Sequence, residues 1–156
     1  DYAHFNFGAM GVPQERKRVL AGSPSLLARA RARPPTRVPP LDQVVDPPPG
    51  ATMQLENLGK QADLSKNVPL PDGSFYNPTI RHACYRAVGA TAFTVCARWP
   101  HRWCRADHSP IRLFTIREMA TLQTFPDWYV FSETRGRCFR GVGNAFPPRA
   151  AAALMA

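Results

Sequence analysis

The segment Arg112–Phe131, RLFTIREMATLQTFPDWYVF, is bounded more sharply than any other part of this 156-residue chain. Thr115 is followed three residues later by Glu118, the spacing of a capping box. In that arrangement the hydroxyl takes the third helical amide and the carboxylate returns to the cap amide. Phe114 and Met119 stand where a hydrophobic staple would close, and Leu122 continues the Met119 face at helical spacing. Pro126 lacks an amide and drives Phe125 out of the α region, so it is expected to stop the helix. The prediction is a short helix that feeds an aromatic-rich turn.

Periodicity alone would make this an ordinary amphipathic helix on a small core. Its wording says more: R-x-x-T-x-R-E-x-A-x-L-Q-x-F-P-D, from Arg112 through Asp127, closely resembles the ninth conserved block of the cytosine-5 DNA methyltransferases. Gly11 through Leu20, GVPQERKRVL, resembles that family's eighth block, and Val142 through Pro148, VGNAFPP, resembles its tenth. The three occur in the family's order.

Charge and composition are compatible with such a chain. Twenty Lys and Arg against eleven Asp and Glu leave a net charge of +9, which suits a polyanionic partner, although ribosomal or membrane-surface proteins share that balance. The excess is mostly Arg, whose planar fork matches phosphates and base edges. Seventeen prolines are too many for a helical bundle and imply long irregular connections. Cys84, Cys96, Cys104 and Cys138 follow no secretory signal, so free thiols are expected. No apolar run approaches the roughly 20 residues that span a bilayer, so no membrane partner is expected. The chain opens on Asp1 rather than Met, as a piece of a longer protein would.

Gly11 and Pro13 predict a turn, and Val19-Leu20-Ala21 the start of a buried strand. Gln14 to Arg18 could be a solvated charge run. On an extended segment, however, Gln14, Arg16 and Arg18 share one face, with Glu15 and Lys17 on the other. A row of Gln, Arg and Arg is rich in donors for phosphate or carbonyl oxygens. The resemblance implies that this row faces the catalytic pocket and that Arg18 contacts the O2 edge of the target cytosine, as expected where extruded bases are read at their polar edges.

Residues 23–50 hold Arg29, Arg31, Arg33 and Arg37 among small residues and proline pairs, a polyproline-like connector with at most one helical turn, near Leu41 to Val45. Residues 51–93 carry no motif of their own; by position they match the family's target-recognition region. Between Gly73 and Ala106 there is no acidic residue. There Arg81, Arg86, Arg98, Arg102 and Arg105 interleave with Tyr85, Phe93, Trp99 and Trp103. Such interleaving suits a nucleic-acid face; equally, half of the aromatics could be core and the arginines merely solvated. Phe93-Thr94-Val95 resembles a strand-like element leading into the ninth block. Cys96, His101, Cys104 and His108, with four, two and three residues between them, match no zinc finger or ribbon. Packed thiols and surface imidazoles, with no metal, are expected.

Arg135-Gly136-Arg137 predicts a basic turn, and Arg149 onward a helix-forming tail started by Pro147-Pro148. By itself Gly141 to Asn144 would be only a turn. By resemblance Asn144, Ala145 and Phe146 line the pocket of the methyl donor, S-adenosylmethionine; most members carry Val where Phe146 stands.

In the family a cysteine thiolate attacks C6 of an extruded cytosine, a Glu supports N3, and C5 takes the methyl group. These residues include no Phe-x-Gly-x-Gly donor loop and no Pro-Cys pair: Ala83, Val95, Trp103 and Arg137 precede the cysteines. The expectation is therefore the C-terminal portion of a DNA (cytosine-5) methyltransferase, inactive alone and acting on DNA in nucleus or nucleoid. RNA is the minority substrate, and a separate N-terminal chain is a conceivable partner. The fold implied is α/β, a partial methyltransferase-type mixed sheet with a loop-rich, proline-rich recognition lobe and two short helices. Its parts would be 1–28 at the catalytic edge, 29–50 as connector, 51–110 as recognition region and 111–156 returning to the catalytic domain. The rival from another class is a non-catalytic nucleic-acid-binding or assembly module derived from such an enzyme.

Overall fold

A computed structural model describes residues 1–55, 68–69, 75–76, 84–98, 101–107, 109–131 and 134–156. It has the mixed α/β character expected. Strands β1 (Tyr2–Asn6) and β2 (Lys17–Ala21) pair antiparallel, with Phe5 opposite Arg18 and Asn6 opposite Lys17. A second, six-stranded sheet comprises β3 (Thr52–Leu55), β4 (Val68–Pro69), β5 (Phe75–Tyr76), β6 (Cys84–Arg86), β7 (His101–Cys104) and β8 (Pro110–Leu113). Its order is β4-β5-β6-β3-β7-β8, antiparallel at every pairing. Four α-helices are described: α1 (Pro24–Ala32), α2 (Ile116–Leu122), α3 (Arg135–Asn144) and α4 (Pro148–Met155).

Helix α2 begins as its sequence dictates. Thr115 Oγ1 accepts from the Glu118 amide at 3.1 Å, and Glu118 Oε2 accepts from the Thr115 amide at 2.6 Å. The same carboxylate receives Arg112 at 2.8 and 2.9 Å and Trp103 Nε1 at 3.0 Å, so the cap is tied to β7 and β8. Half-burial pushes this carboxyl upward, but its hydrogen bonds outweigh burial and hold it below the ordinary value. Phe114 and Met119 are both buried, as a staple requires.

The end of α2 differs from expectation. Pro126 does not stop it; the chain turns two residues earlier at Thr124, whose φ is 63°. Phe125 N donates to Ala120 O and Thr124 N to Thr121 O, each at 2.9 Å, the Schellman pattern with Thr in the place usually held by Gly. The Thr124 hydroxyl accepts from Arg149 N at 3.0 Å, capping α4 where Pro147 has no side-chain acceptor to offer.

Helices α1 and α3 stand where irregular chain was expected. Ser23 caps α1 with Pro24 in its first turn, and the Leu-Leu-Ala-Arg-Ala-Arg-Ala run that follows is made of strong helix formers. Leu27 and Ala30 are buried with Phe5, Phe7, Val12 and Ala150 in a smaller core. Arg135-Gly136-Arg137 opens α3 rather than forming a turn, because Cys138, Phe139 and Val142 give it a buried face that outweighs three glycines. Strand β2 forms, but on an exposed edge rather than in the interior. Phe93-Thr94-Val95 is not a strand; only Ala92 bridges, to Gln14. The main core gathers Leu41, Met53, Val95, Trp103, Phe114, Met119, Leu122 and Val142, with the Trp103 and Phe114 rings stacked at 4.2 Å. Among the described residues no helix is long and apolar enough to cross a membrane.

Candidate functional site

Alternation along residues 14–18 is visible in the burial: Gln14 and Arg16 are inside, Glu15 and Lys17 outside. Gln14 Oε1 accepts from Val95 N at 2.7 Å, while Gln14 Nε2 donates to Leu122 O at 2.8 Å and to Gln123 Oε1 at 3.0 Å. Gln123 in turn donates to Val142 O at 2.7 Å and Ala145 O at 3.4 Å. Arg16 donates to Val95 O at 2.7 Å, Gly143 O at 3.0 Å and Ala145 O at 3.4 Å. Val95 is thus held at both its N–H and its carbonyl, and the Val142 and Gly143 carbonyls at the end of α3 are met by an amide and a guanidinium. A cation at a helix C-terminus is also favoured by the helix dipole. One buried polar lattice joins residues from the three separate stretches 11–20, 112–127 and 142–148.

Burial, with the neighbouring Arg18 charge, lowers Arg16 to about 10, which still leaves it protonated at neutral pH. Burial pushes the Cys96 thiol upward against the opposing pull of Arg16 and Arg18. Gly143 explains how α3 comes so close. A Cβ there would lie 2.2 Å from Ala97 N and 2.4 Å from Cys96 C, both backbone atoms. Any side chain would force the helix away from the Val95–Ala97 segment.

Arg18 remains exposed, its guanidinium donating to Lys17 O at 2.7 Å. The structure therefore separates the row: Gln14 and Arg16 are interior cross-links, and Arg18 alone is open to solvent. Asn144, Ala145 and Phe146 likewise diverge. Ala145 lines a cavity of about 320 Å³ with Phe125, Tyr129, Phe131 and one side of α3. Asn144 lines a separate cavity with Arg98, Arg135 and Arg140. Phe146 packs on Phe7 with ring centroids 4.8 Å apart and is 43% exposed.

Among the arginines of the acid-free stretch, Arg81 lies outside the described residues, as do Trp99 and His108. Arg86 is engaged internally, donating to Thr91 O at 2.8 Å and Glu15 Oε2 at 3.0 Å, with its guanidinium over Phe93. Arg98 and Arg105 are exposed, Arg105 bonding Ser109 Oγ at 3.1 Å, and Arg102 is half-buried on β7. Tyr85 and Trp103 are core residues, so the second of the two readings holds for these rings. His101 differs from expectation. It is not a surface imidazole but fully buried, its Nε2 3.3 Å from Phe93 O and its ring edge-on to Phe114. Desolvation lowers it to about 3. Cys96 is a free thiol, and Cys104 and Cys138 are buried. Among the described residues no group of three or more His, Cys, Asp or Glu is gathered as metal ligands would be.

Sequence reasoning missed Gln123, Gly143, Arg135 and Arg140. Only Gln123 carried a signal, as a polar residue beside Leu122 in the stretch that resembles a family block.

Residues 51–156 match the family described as C-5 cytosine-specific DNA methylase. The chain belongs to that family. Type II methyltransferase M.AplI of Arthrospira platensis is 32% identical over 100 residues, 64% of this chain and 27% of the relative. Type II methyltransferase M.XorII of Xanthomonas oryzae pv. oryzae is 44% identical over 43 residues, 28% of this chain and 10% of the relative. This methylase-family chain therefore spans about a quarter or less of the length of these curated relatives.

Proposed function

We propose that these residues form the C-terminal part of a DNA (cytosine-5) methyltransferase, which moves a methyl group from S-adenosylmethionine to C5 of a cytosine extruded from DNA. The observation that carries the reading is the buried lattice of Gln14, Arg16 and Gln123 against Val95 and the end of α3. Groups that bear the family resemblance are spent on holding one another in register, and Arg18 is left projecting from the edge. Gln14 and Arg16 are positioning residues. Arg18 is the group placed to donate to cytosine O2 as negative charge accumulates on the ring; such a preorganised donor acts mainly in the transition state.

Of the donor-pocket residues, Ala145 fits best. Its cavity is walled by Phe125, Tyr129 and Phe131, which suits an aromatic base, whereas Asn144 lines the separate cavity and Phe146 packs on Phe7. Bound there, S-adenosylmethionine would supply the electrophilic methyl carbon. The thiolate nucleophile, the Glu for N3 and the main donor loop come from residues beyond these 156, in the same polypeptide or a partner chain. Among the described residues, Arg98 and Arg105 are the exposed arginines of the basic stretch and are available to DNA, and work on DNA implies nucleus or nucleoid.

The test is reconstitution. Joined to or mixed with a family N-terminal part carrying Pro-Cys and Phe-x-Gly-x-Gly, the chain should direct labelled methyl transfer to duplex DNA; alone it should transfer none. Transfer by the chain alone contradicts the division of labour. No transfer from any pairing, with DNA binding intact, replaces the enzyme with a non-catalytic binding module, and preference for transfer RNA over duplex DNA changes the substrate.

A further inference from the structure

The cavity beside Asn144 has a character different from the aromatic one. It measures about 760 Å³ and is lined by Ala97, Arg98, Leu113, Arg135, Gly136, Phe139, Arg140 and Asn144. Three of these eight are arginines, and none is acidic. They come from two places in the chain: Arg98 from the segment before β7, Arg135 and Arg140 from α3. Gly136, Arg140 and Asn144 recur every four residues and so form one stripe along the helix. Arg135 is steadied by lying over the Phe139 ring, 5.5 Å from its centroid. The cluster faces solvent, since Arg98, Arg135, Arg140 and Asn144 are all exposed.

Three guanidiniums at one concavity repel each other and hold that arrangement best around an anion. The methyl donor is a poor occupant, because its sulfonium and ammonium centres would face three cations. A phosphodiester meets both requirements: its charge matches, and its two free oxygens suit forked Arg donors. We propose that Arg98, Arg135 and Arg140 form a docking site for the nucleic-acid backbone, gripping phosphodiesters beside the Asn144 turn. This rests on the proposed nucleic-acid substrate and extends it, joining Arg135 and Arg140 of α3, outside the acid-free stretch, to Arg98 within it as one contact surface. Phosphate contacts fix register without reading sequence, so the site would set how the duplex lies against the edge that carries Arg18.

Gly136 allows a test that spares the fold. A Cβ at this position meets nothing within 4 Å, and Asp in the first turn of a helix is favourable to that helix. Gly136→Asp therefore places a carboxylate among the arginines without crowding. Gly141→Asp is the matched control: the same helix and the same charge change, an equally open site, but on the wall of the aromatic cavity. Duplex DNA binding by the chain is measured between low and physiological salt for wild type, both Asp variants and Arg140→Gln. Each phosphate contact contributes about 0.9 to the slope of log affinity on log salt. Arg140→Gln should lower that slope by about one and Gly136→Asp by at least as much, with roughly tenfold weaker binding, while Gly141→Asp changes the slope by less than half of that. Equal effects of Gly136→Asp and Gly141→Asp, or a wild-type chain that does not bind duplex at low salt, would overturn the site. Neither result touches the methyl-transfer reading, which the reconstituted enzyme judges separately.

Discussion

Gln14 Nε2 lies 3.0 Å from Gln123 Oε1, across 109 residues of chain, and each amide spends its remaining groups on backbone. Gln14 holds Val95 and Leu122; Gln123 holds Val142. A buried amide that loses its partner is left with an unmet hydrogen bond, at about 1–3 kcal/mol. Gln14→Ala and Gln123→Ala should each destabilise the chain by that amount in urea unfolding. Because they share one network, the double variant should fall short of the sum by at least about 0.5 kcal/mol. Strict additivity would mean the lattice is not a unit.

Gly143 and Gly141 lie two residues apart on α3 and should respond oppositely to Ala. At Gly143 the new methyl would stand 2.2 Å from Ala97 N, so the backbone must move; at Gly141 it meets nothing within 4 Å. Gly141→Ala should gain up to about 1 kcal/mol from helix propensity. Gly143→Ala should lose several times that, on the order of 3 kcal/mol, as overpacking does. Denaturant midpoints decide it, and similar values for the two would remove the close approach from the account.

These two positions also show what could be read in the chain beforehand. The capping box at Thr115 and Glu118 was legible because every partner lies within four residues. The inward face of Gln14 and Arg16 was legible from alternation, but their partners were not, since those sit about 80 to 130 residues away. Helix α3 was hidden by Gly136, Gly141 and Gly143, which lower local helix propensity although Gly143 is what lets the helix dock. Helix α1 was hidden among prolines and arginines despite its Ser-Pro start. Arg135 read as part of a turn, and Arg140 carried no signal, until α3 brought both to the rim of one cavity.

Thr124 has a left-handed backbone and a hydroxyl that caps α4. Thr124→Ala keeps the unfavourable φ and loses the cap; Thr124→Gly loses the cap but relieves φ. The Gly variant should be more stable than the Ala variant by about 1 kcal/mol, since only Gly takes this region without cost. An Ala variant as stable as the Gly variant would argue against strain at this turn.

His101 is neutral in the fold, its value lowered from 6.5 to about 3 by desolvation. Below about 6.5 the unfolded chain binds a proton that the folded chain does not, so the stability this group contributes is present above that pH and is lost as pH falls toward 3. The loss is about 1.4 kcal/mol per pH unit once the unfolded histidine is fully charged. Stability measured between pH 7 and 5 should fall in wild type and fall less in His101→Phe. Equal slopes would place the imidazole in contact with water.

The most direct test of the account concerns Arg18 in a reconstituted enzyme, this chain joined to a family N-terminal part. Lys17 and Arg18 are adjacent on β2 and so lie on opposite sides of it, which makes Lys17→Ala the internal control. Single-turnover methyl transfer at saturating DNA and donor should drop by about 10²–10³ for Arg18→Ala, with DNA affinity little changed. Arg18→Lys should recover only part of the rate, because it keeps the charge and loses the fork. Lys17→Ala should behave as wild type. If Arg18→Ala and Lys17→Ala have the same rate, or if Arg18→Ala alters only DNA affinity, Arg18 is a solvated charge and the proposed site is wrong.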